Sequence, residues 1–346
     1  MTQPSQPLQP PGLQEAKPAL ELEGGEWLQG DPVRIRDRGA PVLVDFWDYT
    51  CLNCLRTLPY LREWHRRYAE HGLAIVGVHT PEFSFAGNAE HVRQAIERLE
   101  IPYPVVLDTG FNIWKAYENN YWPAKYFIDG QGMIRARHFG EGGYEESETF
   151  LQALLREQDG FSAELPAPMD PVRPEDAPGA VCYRVTPEIY CGYARGPIGN
   201  VGTVAPDRPM SYADHGKHIE GAIYLEGDWL LGSENVARPF GASGVSRLRL
   251  EYMAADVNLV LHPPVTGDAG CLRVLLDGEP VDEQAAGEDL EVGGVTVDRP
   301  RMYRLLRADD VERHSLTLET ESDGLAAFTF TFTSCLAPQP EQAPGA

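Results

Sequence analysis

The chain of 346 residues is poor in cysteine, in positive charge and in long apolar runs, and each shortage narrows what it can do. Six cysteines are too few for a disulfide scaffold, so their spacing matters more than their number. Lys and Arg total 29 against 52 Asp and Glu, a formal net charge of −23. That balance repels phosphate backbones and anionic lipid, which argues against nucleic-acid and membrane-surface partners. No stretch approaches the roughly 18 consecutive apolar residues of a membrane span. The opening segment MTQPSQPLQPPGLQEAKPALE has neither a basic n-region nor an apolar h-region, so a cytoplasmic location is expected, and a periplasmic one only with a different N-terminus. With 42% hydrophobic residues, 34 Gly and 29 Pro, the chain is neither collagen-like nor disordered throughout and can bury two cores.

Residues 1–18, rich in Pro and Gln, read as a disordered leader. An apolar strand from Val42 to Phe46 leads into Cys51-Leu-Asn-Cys54. Leu55, Leu58, Leu61, Trp64 and Tyr68 then recur at helical spacing up to Gly72, a C-cap. Strand Leu73 to Val78, a helix from the N-cap Asn88 to Leu99, strand Pro104 to Leu107 and a short helix Phe111 to Tyr117 follow. Lys125 to Ile128 and Ile134 to Phe139 flank an Asp-Gly-Gln-Gly turn as a hairpin, and a helix from Glu145 to Arg156 closes the unit. The order predicts an α/β domain over 19–158: a central mixed sheet with helices on both faces. Pro recurs every few positions through 159–180, an interdomain linker. From 181 to 337 the period changes to two, cleanly at Val257, Leu259 and Leu261 and at Phe328, Phe330 and Phe332, and an all-β antiparallel sandwich is expected. Residues 338–346 read as a disordered tail.

The close pair Cys51 and Cys54 falls between a strand and a helix. There the first thiol meets unsatisfied helix N–H groups and the positive end of the helix dipole, which favour its thiolate. The second, one turn on, stays covered and can attack a mixed disulfide formed on the first. Half of a zinc site is the alternative; that needs a second Cys or His pair at short spacing, and no second C-x-x-C exists. No metal or other cofactor is therefore expected, the Cys51–Cys54 pair itself being the redox group.

The segment VLVDFWDYTCLNCLRTLP, with Asp45 six residues before Cys51, Trp47 four before and Pro59 five after Cys54, resembles the active-site segment of thioredoxin-fold proteins. The extra helix between the second and third strands, with YENNYWPAKYFIDGQGMIRARHFGEGGY, resembles the TlpA/ResA-type thiol-disulfide oxidoreductases. HTPEF, YWPA, GEG and the trailing sandwich resemble the soluble C-terminal portion of DipZ-type proteins, a thioredoxin-like domain joined to a carbohydrate-binding-module-like sandwich. The resemblance implies a thioredoxin fold and dithiol chemistry in which Cys51 is the nucleophile and Cys54 resolves. It also implies a protein disulfide as substrate and a thiol or reductase as electron donor. Asp45 becomes a buried proton relay for Cys54 rather than a strand-ending cap. Pro123 becomes a cis proline, with the Trp122 backbone exposed for strand-like pairing to a substrate. Trp122 and Trp47 add apolar surface to that groove, Trp47 serving equally well as core. His79 and Glu82, after the second strand, are candidates to tune Cys51, although a His at a strand end is more often structural. The family's membrane part and a secretory signal are missing from this sequence, which argues against periplasmic work.

The sandwich offers no catalytic constellation. Tyr224, Trp229, Tyr252 and Tyr303 are candidates for a sugar-stacking platform and, more simply, for core. Cys191 reads as a buried thiol. A Cys182–Cys191 or Cys271–Cys335 disulfide would need an oxidising compartment. Two other functions compete with the oxidoreductase: a glycan- or protein-binding sandwich on a thioredoxin-fold scaffold, and a thiol peroxidase of the redoxin type. The latter needs Pro and Thr or Ser where the chain has Val44 and Asp48.

Overall fold

The computed structural model describes residues 7–9, 17–36, 38–202, 204–292 and 294–338. The chain divides into two compact units, one ending at Asp176 and the other beginning at Ala177. The first unit holds β1 (Glu26–Gln29), β2 (Val42–Trp47), α1 (Leu52–Tyr68), β3 (Ala74–His79), α2 (Ala89–Arg98), β4 (Val105–Leu107), α3 (Asn112–Ala116), β5 (Ala124–Ile128), β6 (Ile134–Phe139) and α4 (Tyr144–Arg156). Its sheet runs in the order β1-β4-β3-β2-β5-β6. The pairs β2–β3 and β3–β4 are parallel; β1, β5 and β6 join antiparallel.

This is the expected mixed sheet, with one strand that the sequence did not announce. β1 is four residues long between glycines and pairs on the edge of β4 through a register shift, too short to show a period. β2 and β3 are buried along their whole length because helices cover both faces. Leu43, Asp45 and Trp47 of β2 face the core shared with α1, α2 and α4, whereas Val42, Val44 and Phe46 face the one shared with α3. Asn88 caps α2, its Oδ1 accepting the Glu90 and His91 N–H groups at 2.9 and 3.4 Å. Gly72, at φ 100°, ends the α1 region in the left-handed conformation that glycine adopts without strain.

Parts of the expected leader and linker are fastened down. Gln9 bridges to Arg137 and Pro18 to Met133, beside and just before β6; residues 1–6 and 10–16 of the leader, and the tail beyond 338, lie outside the described residues. In the linker, the Pro166 carbonyl accepts from Gln152, the Met169 N–H donates to Glu148, and Asp176 accepts the Tyr60 hydroxyl at 2.7 Å. Residues 166–176 thus form a strap on α1 and α4, held by polar side chains whose partners carry no periodic signal.

The second unit is antiparallel throughout its named strand pairs and is built around a twelve-stranded sheet. Ser246–Ala254 alternates strictly between buried and half-buried positions. Ala326–Phe332, expected to be half-buried, is buried on both sides: Thr329 donates its hydroxyl to the Glu188 carboxylate and to the Ile189 carbonyl. The sugar-stacking platform is not present. Tyr224, Trp229, Tyr252 and Tyr303 are all buried, and the Trp229 indole N–H is taken by the Glu226 and Arg247 carbonyls. Cys191 is the buried thiol expected. Neither of the two disulfides weighed from the sequence is present: Cys182 bonds Cys335, and Cys271 is free and exposed. The cause is topological, because Val181–Cys182 and Cys335–Leu336 pair as a separate two-stranded ribbon with the two cysteines directly opposite.

Candidate active site

Cys51 stands at the N-cap of α1 in an extended conformation, and its Sγ accepts the Cys54 N–H at 3.3 Å. Cys51 is half-buried and Cys54 is 1% exposed; both are free thiols. One sulfur is therefore open to a partner and the other is sheltered one helical turn behind it. The Asp48 carboxylate shapes the loop before the nucleophile. It accepts the Thr50 N–H and hydroxyl at 2.6 Å each and the Glu82 N–H at 2.7 Å, tying that loop to the segment after β3.

The electrostatics depart from the sequence argument. Burial pushes the Cys51 thiol up, the interactions with Cys54 pull it down, and the Glu82 and Asp48 carboxylates push it up again. The net direction is upward, because the reading from the helix N-terminus left out burial and two nearby carboxylates. Cys54 lies well above an ordinary thiol, through burial first and then through its neighbour Cys51. The order survives: Cys51 is the more accessible and the more acidic. Iodoacetamide is expected to label Cys51 at least about 10²-fold faster than Cys54, at a rate still rising with pH near about pH 9, since the thiolate is the reactive form. Peptide mapping of the alkylated protein checks both points; faster labelling of Cys54 would reverse the roles.

Asp45 is 1% exposed on β2, and burial raises its carboxyl while the Lys125 charge opposes that rise. Its charge in turn raises Cys54, which puts the two within electrostatic reach. Lys125, on β5 directly opposite Asp45, is fully buried and held down by burial. The sequence reading missed it. The signal was a lone cation inside the otherwise apolar strand AKYFI. It missed Asp48 as well, which was weighed only as a mismatch to the peroxidases.

The Trp122–Pro123 peptide bond is cis, so Pro123 is the cis proline that the resemblance implies. Trp122 is half-buried, packs on Trp114 with ring centroids 4.2 Å apart and donates its indole N–H to the Thr80 carbonyl. Two expectations are corrected. Trp47 is 1% exposed and packs edge-on against His79, so it is core and not groove. His79 is fully buried, accepts the Tyr49 N–H at 3.4 Å and is pushed down to about 3 by burial. It is a neutral acceptor with no route to titrate against Cys51. Glu82 does act on Cys51, but disfavours its thiolate.

Among the described residues no group of three or more His, Cys, Asp or Glu is placed to hold a metal ion, and no helix is long and apolar enough to cross a membrane.

Residues 14–137 match the AhpC/TSA family, and residues 186–333 match the thioredoxin like C-terminal domain. The chain is 32% identical over 331 residues to protein DipZ of Mycobacterium bovis, covering 92% of this chain and 43% of that protein. It thus spans less than half the length of the DipZ relatives it matches. The thiol-disulfide oxidoreductase YkuV of Bacillus subtilis is 31% identical over 143 residues, covering 41% of this chain and 96% of YkuV. ResA of Bacillus cereus, also a thiol-disulfide oxidoreductase, is 27% identical over 128 residues, covering 37% of this chain and 71% of ResA. An open thiol over a sheltered one at a helix N-cap, in a sheet of this topology and with relatives of this kind, makes the chain a member of the thioredoxin-fold thiol-disulfide oxidoreductases.

Proposed function

We propose that the protein exchanges electrons with disulfides of other polypeptides through Cys51 and Cys54, with an upstream thiol or dithiol reductase restoring the pair. The observation that carries this reading is the unequal exposure of the two thiols at the start of α1. The Cys51 thiolate attacks one sulfur of the substrate disulfide, and the displaced sulfur leaves with the electron pair and takes up a proton. Cys54 passes its proton to Asp45 and attacks Cys51 Sγ. The mixed disulfide breaks, the second substrate sulfur leaves, and Cys51–Cys54 is left oxidised. Two electrons move per cycle, and the donor's two thiols return them. Half-buried Trp122, next to the cis proline, offers apolar surface to the substrate chain.

The compartment is part of the same proposal. Cys182–Cys335 favours an oxidising compartment, since cytosolic glutathione and thioredoxin keep such pairs reduced. We place its work where that bond persists.

Cys54→Ser tests the exchange. With insulin as the disulfide-bonded protein, the variant is expected to accumulate a covalent Cys51 adduct that dithiothreitol releases, whereas the wild type turns over without accumulating it. Failure of Cys54→Ser to form the adduct, with Cys51 reduced at the start, would sink the reading.

A further inference from the structure

We propose that Asp108, buried just after β4, is a positioning residue for substrate capture: it sets Trp114 against Trp122, so that the two rings form a fixed apolar shelf for the polypeptide around the reactive disulfide. This rests on the exchange with polypeptide disulfides proposed above. It narrows the substrate to chains that carry an aromatic or large aliphatic side chain close to the half-cystine.

The strand register brings the parts to one end of the sheet. Trp47 pairs with His79 and His79 with Leu107, while Phe46 pairs with Ala124. Thr80 after β3, Asp108 after β4 and Trp122 before β5 therefore lie at the end where β2 runs on to Cys51. Trp122 and Cys51 also pack on the same core, the one that contains Cys54.

At that end the contacts close into a ring. Asp108 Oδ1 accepts the Asn112 and Ile113 N–H groups at 2.7 and 3.1 Å. Its Oδ2 accepts the Trp114 N–H at 2.8 Å and the Thr80 hydroxyl at 3.5 Å. The carboxylate thereby satisfies the first turn of α3, whose own N-cap, Phe111, makes no side-chain cap bond. Trp114, fixed by that bond, packs on Trp122 with ring centroids 4.2 Å apart, and the Trp122 indole N–H donates to the Thr80 carbonyl at 2.9 Å. The Trp122 ring is thus held from two sides, by Trp114 and by Thr80, and both are bound to Asp108.

This is more than a cap for stability requires. α3 has five residues, far too few to stand by its own hydrogen bonds, and the one residue it buries is Ile113. A fully buried carboxylate is a costly way to hold so short a helix. What the carboxylate orders is Phe111, Trp114 and Trp122, three half-buried aromatic side chains with centroids 6.0 and 4.2 Å apart, next to the cis proline. Rings left partly open and kept from turning suit an apolar side chain of a partner, because little freedom remains to be lost when it docks.

The test mixes pre-reduced, full-length protein with insulin or with bis(2-hydroxyethyl) disulfide, which has no chain to lie on the shelf. Formation of Cys51–Cys54 is followed by acid quench and peptide mapping. Asp108→Asn keeps the size of the side chain, but whichever way the amide turns, its NH2 faces an N–H that it cannot accept. The variant is expected to react with insulin about tenfold more slowly while its rate with the small disulfide stays within about twofold of the wild type. A merely structural defect at the cysteines would slow both substrates alike. The Trp114–Trp122 pair gives a second readout, an exciton signal in circular dichroism that Trp122→Leu abolishes and Asp108→Asn weakens. Asp108→Asn combined with Trp122→Leu should react with insulin no more slowly than Trp122→Leu alone. Should Asp108→Asn fail to fold, Trp114→Leu, whose bond to Asp108 is through the backbone, is expected to show the same selective loss. In a folded variant, an unchanged insulin rate or an equal fall with both substrates overturns the proposal. A failure of the exchange reading itself would show separately, as absence of the Cys51 adduct in Cys54→Ser.

Discussion

Cys51→Ser is expected to lower disulfide reduction by about 10³-fold or more, because a serine hydroxyl has no accessible anion to start the exchange. The same variant is expected to remain folded. Cys51 caps α1 through its Sγ, which accepts the Cys54 N–H at 3.3 Å. Serine is a preferred N-cap, and its shorter bond to that amide would hold or raise stability, by up to about 1 kcal/mol. The loss of activity therefore cannot be assigned to unfolding of the site. Insulin reduction by dithiothreitol, read as turbidity with and without the protein, gives the rate; thermal unfolding followed by circular dichroism gives the stability. Full activity in Cys51→Ser would remove Cys51 from the chemistry, and with it the order of attack and resolution. Cys54→Ser should differ in kind: it retains the first step and stalls at the covalent adduct.

The part of this molecule that was legible in the sequence is the part governed by local rules. The apolar run of β2, the helical spacing of Leu55 through Tyr68 and the cap at Asn88 each depend on neighbours a few residues away, and each appears where expected. The two cysteines were legible for the same reason, since their roles follow from position along one helical turn. What escaped reading depends on pairings distant in sequence. Lys125 matters because β5 lies antiparallel to β2 and sets it against Asp45, 80 residues earlier in the numbering. His79 looked available for proton transfer, but Trp47 and Tyr49 pack around it and leave it neutral. Trp47 illustrates a further gap: a Trp four residues before the nucleophile reads equally as groove or core until both faces of β2 are known to be covered. Cys51 shows that a helix N-terminus is one influence among several. Burial, Glu82 and Asp48 all act on that thiol, and only the last of them is near it in sequence.

Removing the Cys182–Cys335 bond is expected to destabilise the second unit by about 5 kcal/mol, since the link closes a sequence separation of 153 residues and its chief effect falls on the unfolded chain. For a unit of this size that corresponds to a fall of about 10–20 °C in its unfolding temperature. The folded structure should change little. The two cysteines sit on a two-stranded ribbon of its own, while the core of the unit is closed by other residues, among them Leu248, Leu259, Tyr303 and Phe330. The double variant Cys182→Ser with Cys335→Ser should thus keep its far-ultraviolet spectrum and lose thermal stability, and dithiothreitol should produce the same fall in the wild type and none in the variant. Because a chain of two units does not unfold in one step, the transition has to be assigned to the second unit, by hydrogen exchange at the Ala326–Phe332 strand. Equal unfolding temperatures with and without reductant would mean that this bond does not hold the ends of the unit together, and the argument for an oxidising compartment would fall with it. Cys191 provides an internal control. It is buried in the same core with its thiol pushed up by burial, so it should stay unreactive until the strands around it open.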